Sequence, residues 1–171
     1  MNINAADTLI NVGLTGAERF AVGVVTAGGL IMVAGVRPLL LDAQTPGTAP
    51  DIALAVEKIS VGAWTRYNRA SLIASIALVV IDVTRLASGA CAVAAVYLVG
   101  ALVMATILTV KLRVDATLAA RIAGGADSVR GAATDGSRRN ADLERTHALV
   151  ERLSVPLLLI AVLLALLPVL H

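Results

Sequence analysis

Four long apolar segments constrain this chain more than any other feature. They cover residues 20–41, 70–86, 91–110 and 153–170. The hydrocarbon core of a bilayer is ~30 Å thick and takes about 20 helical residues to cross. Each segment has close to that length. The expected architecture is therefore an all-α polytopic membrane protein, a four-transmembrane-helix bundle forming a single domain over residues 1–171. Composition agrees. With 58% hydrophobic and 15% charged residues, the chain carries more apolar surface than a soluble domain of 171 residues can hide.

The gaps between the segments carry the second constraint. The gap after the first segment holds Arg37, Lys58, Arg66 and Arg69. The gap after the third holds Lys111, Arg113, Arg121, Arg130, Arg138, Arg139, Arg145 and Arg152. Only Arg19 and Arg85 of the 14 basic residues fall elsewhere. Basic loops stay cytoplasmic, so both termini are expected outside and both long loops inside. A composition rich in Ala, Val, Leu, Gly and Arg fits a GC-rich bacterium, and hence its inner membrane. Residues 1–16 carry Asp7 as their one charge. No basic region precedes the first span, so that span is expected to be retained.

Local signals fill in the elements. An interfacial helix is expected to begin near 5–10, ahead of the first span. Pro38 should end or kink the first span, because it lacks an amide donor and crowds the preceding turn. Residues 42–51 read as a loop with Pro46-Gly47 as its turn. Pro50 suits a first helical turn. An amphipathic helix from Asp51 should then run without a break into the second span and end near Ala87. Ile52, Val56, Ile59 and Tyr67 lie near one face of it, and Trp64 and Tyr67 mark the membrane interface. Gly89 sits in a tight connection, making the second and third spans an antiparallel hairpin. The third helix should extend past Arg121 and stop at Gly124-Gly125. A charged helix is expected before the last span.

Small residues mark faces for close helix approach. Gly23 and Ala27 are four apart, Gly28 lies beside them, and Ala101, Ala105 and Thr109 form a ladder in the third span.

Chemistry is sparse. No Gly-x-Ser-x-Gly, His-Glu-x-x-His or phosphate-loop motif occurs, and no catalytic residue is expected. Asp82 and Arg85 fall at the outer boundary with Glu18 and Arg19. Asp82 has two readings. It is a proton or cation site facing the bundle interior, or an edge ion pair with Arg85, one turn on, or with Arg19. Arg37, His147 and Glu151 fall at the inner boundary. His147 and Glu151, four apart, form either an acid–base pair or a simple helix-surface pair. His147 and His171 lie at opposite faces, and Met32 and Met104 belong to no ligand cluster. No metal and no cofactor is therefore expected.

Three stretches carry a resemblance. They are Glu18-Arg19-Phe20 followed by Gly23 and Gly28, the Trp64-Thr65-Arg66-Tyr67-Asn68-Arg69 entry to the second span, and LERTHALVERLSV at 143–155. In these the chain resembles the uncharacterised transmembrane-protein-205-like family (domain of unknown function 4149). Copper-resistance-type membrane proteins are similar in outline. The resemblance implies a small integral membrane protein.

Three functions stay open. The first is a non-enzymatic accessory or assembly subunit that associates with itself or with other membrane proteins. Its basic helices can also hold anionic lipid, and nucleic acid is not an expected partner. The second is a transporter or an ion or proton pathway working as a homo-oligomer. The third is a quinone- or haem-linked oxidoreductase subunit.

Overall fold

The computed structural model describes residues 5–42, 50–89, 92–128 and 152–167, and in these it is helical apart from the Ser88-Gly89 turn. Helix α1 covers Ala5–Leu30 and passes through a π-helical turn, Ile31–Val36, into α2, Arg37–Asp42. Helix α3 covers Pro50–Ala87 and α4 covers Ala92–Ser128. A last apolar helix, α5, covers Arg152–Leu166.

Three of the helical stretches are long and apolar enough to cross a membrane: Thr8–Leu39, Lys58–Ala87 and Val93–Thr117. The fourth, α5, is apolar but shorter. Cys91, His147 and Glu151 lie outside the described residues.

The π turn has a local cause. Pro38 has no N–H, and in a regular helix its ring would strike the carbonyl one turn back. The chain widens just before it, and the Arg37 N–H donates to the carbonyl of Met32, five residues earlier. The helix axis is adjusted rather than ended, and α2 continues it. Two other sequence expectations change. The helix expected to begin near 5–10 does begin at Ala5, but it is not a separate interfacial element, because α1 runs unbroken into the first span. Gly124-Gly125 does not stop the third long helix, which reaches Ser128. Glycine costs a helix only about 1 kcal/mol relative to alanine, too little to break one that flanking residues propagate. Gly89 behaves as expected: its φ of +93° is a conformation that glycine tolerates, and it turns the chain from α3 toward α4.

The buried stripes share one period. On α3 the fully buried side chains are Asn68, Ser71, Ser75, Leu78 and Asp82. On α4 the buried stripe is Ala94, Tyr97, Ala101, Met104, Leu108, Lys111 and Asp115. On α5 it includes Leu157, Ala161 and Leu164. Steps of three and four residues alternate throughout, the spacing that packs helices as left-handed bundles.

The polarity of α3 is inverted relative to a soluble helix. Four of its five fully buried positions are polar, while Ile73, Ile76, Val80 and Val83 face outward at half exposure or more. Water would penalise that arrangement; lipid favours it, and the apolar outer faces fit a membrane protein.

In lipid, apolar burial drives helix association weakly, and packing and interhelical hydrogen bonds take over. The glycines of α1 show the packing. A Cβ on Gly29 would stand 2.8 Å from the Tyr67 hydroxyl and 3.1 Å from Leu158 Cδ1, and one on Gly28 would stand 2.9 Å from the Tyr67 ring. Tyr67 cannot retreat freely, because its hydroxyl donates to the Val25 carbonyl at 2.9 Å. Gly100 similarly admits the tip of Leu164 from α5. Gly23 is different: a Cβ there would meet nothing within 4 Å. Gly29→Ala is therefore expected to lower stability by about 1–3 kcal/mol through overpacking. Gly23→Ala should leave stability unchanged or raise it by up to ~1 kcal/mol, from helix propensity. Unfolding midpoints in a mixed detergent titration check both; equal midpoint shifts would contradict this packing.

Candidate functional site

Charged side chains concentrate at two ends of the helix group, with a layer between them that is apolar apart from Ser71 and Ser75 of α3. Asn68 and Asp82 are fourteen residues apart on one helix, about 21 Å along its axis at ~1.5 Å per residue. Val25, Leu78, Ala101, Met104 and Ala161 fill the layer between, and each is fully buried.

The first end is built around Lys111. This side chain is fully buried on α4. Its ammonium donates to Ser154 Oγ on α5 at 2.8 Å and lies 5.4 Å from the centre of the Trp64 ring on α3. That placement is a cation–π contact. Trp64 and Tyr67 pack edge to face at 6.1 Å. Asp115, one turn beyond Lys111, is 7% exposed and accepts a 2.8 Å hydrogen bond from Asn68 Nδ2 on α3. One cation, one anion and two neutral partners thus tie α3, α4 and α5 together. The aromatic pair carries the tie to α1, through the Tyr67 bond to Val25. A groove at this end is lined by Gly29, Val33, Trp64, Lys111 and Ser154 among others.

The second end is built around Arg85 on α3. Its Nη1 donates to Glu18 on α1 in an ion pair, and its Nη2 donates to Thr15 Oγ1 at 2.7 Å. Glu18 is almost wholly buried, with its side chain 7% exposed. Asp82 lies one turn before Arg85 and is fully buried. Neither of its oxygens has a hydrogen-bond partner among the described residues. Nearby on α4, the Tyr97 hydroxyl donates to the Leu164 carbonyl of α5 at 2.7 Å.

The sequence candidates divide accordingly. Asp82 and Arg85 do meet at one end, but the expected Asp82–Arg85 ion pair is not the one formed. Arg85 reaches across to Glu18, where a second donor–acceptor contact with Thr15 holds the guanidinium fork. Arg37 is exposed beside the π turn. Among the packing candidates, Gly28 and Ala101 lie in helix contacts, and Ala105 is at the edge of one. Gly23 and Ala27 face outward and do not pack against other helices among the described residues. Ala105 and Thr109 continue no buried ladder, since Thr109 is exposed and donates to the Ala105 carbonyl.

The Lys111–Asp115–Asn68–Ser154 cluster was not singled out in the sequence. Its signal was present: Lys111 and Asp115 are four apart and continue the three-four step of Ala101, Met104 and Leu108. Among the described residues no group of three or more His, Cys, Asp or Glu side chains is gathered to hold a metal ion.

No family model, curated protein or solved structure matches this chain.

Proposed function

We propose that the chain is a small, non-enzymatic membrane subunit that works by associating within the bilayer, with further copies of itself or with other membrane proteins. In this reading four helices cross the membrane, α5 being completed by residues beyond those described. Both termini lie outside, as the distribution of Lys and Arg favours.

One observation carries the reading. The α1 face bearing Gly16, Gly23, Ala27 and Ala34 is exposed, and added Cβ atoms at Gly16 and Gly23 would meet nothing within 4 Å. Steps of seven, four and seven residues keep these positions on one side of the helix. Glycine lowers helix propensity and here returns no contact among the described residues. A second helix backbone laid along this face would supply that return.

The test is the mass of the protein released from lipid nanodiscs or gentle detergent. A homo-oligomer or a defined complex is expected for the wild type. Gly23→Leu with Ala27→Leu should convert it to monomer without changing the unfolding midpoint. A strictly monomeric, partner-free wild type would sink the reading.

A second reading, a component of an ion or proton pathway, is favoured by a different observation. The buried stripe of α3 is polar at both ends, and Asp82 carries no partner among the described residues.

A further inference from the structure

The Arg85 end contains two buried carboxyl groups and one guanidinium, bonded to Glu18 and carried one helical turn from Asp82. The guanidinium is already engaged, Nη1 with Glu18 and Nη2 with Thr15. Asp82 shares the Arg85 face of α3, three residues earlier, and is fully buried. The charged and titratable groups that face it are Glu18 from α1, Arg85 from α3 and Tyr97 from α4, with Arg19 of α1 beside Glu18 and Tyr97. None gives it a hydrogen bond. Arg19 is exposed, and the Tyr97 hydroxyl is spent on the Leu164 carbonyl. The α5 side chain packed at this depth, Leu164, offers no donor.

A buried carboxylate without a donor or counter-ion is strongly disfavoured. Something other than the described protein groups must complete Asp82. A metal cation would need several oxygens around it, and among the described residues no group of three or more His, Cys, Asp or Glu gathers here to supply them. A proton needs one oxygen.

We propose that Asp82 is an exchangeable proton-binding site, and that its charge decides which carboxylate Arg85 clasps. With the proton on, Asp82 is neutral, Arg85 holds Glu18, and α1 is tied to α3 as in the structure. When the proton leaves for bulk water, Asp82 becomes an anion one helical turn from Arg85. The guanidinium turns to it, Glu18 loses its partner, and the clasp between α1 and α3 opens. One O–H bond breaks on Asp82 and one forms on water; no other covalent bond changes. The site goes beyond the association reading and does not depend on it.

The experiment uses the full chain in lipid nanodiscs, on a Cys91→Ser background with spin labels on Gly13→Cys and Ser88→Cys, both exposed positions. Infrared difference spectra across a pH series report carboxyl protonation, and electron–electron distances report the clasp. The wild type is expected to lose a protonated-carboxyl band on alkalinisation while the label distance lengthens. Asp82→Asn, neutral at every pH, should lose that band and keep the short distance throughout. Glu18→Leu removes the alternative partner, so its distance should no longer follow pH. A band that survives in Asp82→Asn would overturn the assignment. A label distance that ignores pH in the wild type would overturn the clasp.

Discussion

Lys111→Met will lower the unfolding free energy by about 2–4 kcal/mol, the combined scale of a hydrogen bond from a charged donor and a cation–π contact. Methionine keeps most of the volume of the lysine stem, so a cavity contributes little. The loss comes from charge and hydrogen bonds. Ser154 Oγ loses the donor that joins α4 to α5, and Trp64 loses the cation beside its ring. Asp115 then stands buried with Asn68 as its remaining described partner. A carboxylate in that position is what makes the single change severe. Asp115→Asn added to Lys111→Met should therefore recover about half of the loss, although it removes a further charged group. A double-mutant cycle of unfolding midpoints in detergent checks this. Additive losses would show that Lys111 acts only through Ser154 and Trp64.

Apolar burial alone would not predict such a spread between substitutions. In a bilayer an ordinary interhelical hydrogen bond is worth only ~0.6–2 kcal/mol. The Tyr67–Val25 and Tyr97–Leu164 bonds belong to that class. The two charged clusters exceed it, because each leaves an ion without its counter-charge when one member is removed. They also sit at the ends of the buried stripes, with Leu78 and Met104 between. The ends fix which helix lies beside which, and the apolar middle supplies close contact without selecting a partner.

Helix extents were largely legible in the sequence for a physical reason: they depend on local signals. Pro50 and Gly89 bound α3 and its turn, and the uninterrupted run from Asp51 to Ala87 is one helix. Interhelical pairing was not legible. Arg85 has Asp82 three residues away and Glu18 sixty-seven away, yet it bonds the distant one. Sequence spacing ranks the two in the opposite order. Glu18 and Thr15 on α1 together offer the guanidinium two acceptors, which Asp82 on its own helix does not. The small residues mislead in a related way. Gly23-Ala27 and Gly28-Gly29 look alike as spacings, and only the placement of Tyr67 separates the packed pair from the open one. The last apolar segment read from the sequence, 153–170, is described as a helix over Arg152–Leu166, shorter than the three stretches long enough to cross a membrane.

Removing Arg85 and removing Glu18 will have unequal effects, although the two residues form one ion pair. Arg85→Gln leaves Glu18 and Asp82 together, both buried, with no guanidinium between them. The expected loss is about 3–5 kcal/mol. Glu18→Gln leaves Arg85 in place. Its guanidinium keeps Thr15, can donate to the glutamine amide oxygen in place of the carboxylate, and has Asp82 on the same helix face as an alternative anion. The expected loss is about 1 kcal/mol, that of a hydrogen bond weakened rather than an ion abandoned. Glu18→Gln combined with Arg85→Gln should be more stable than Arg85→Gln alone, since one of the two stranded acids is gone. Adding Asp82→Asn should recover more. Detergent unfolding of the four variants measures each step. Equal losses for the two single changes would mean that Asp82 is too far from Arg85 to act as its second partner, and the three groups would then be a simple pair with a bystander. The unequal result would make Arg85 the shared counter-charge of two acids, which is the condition that lets one side chain choose between α1 and its own helix.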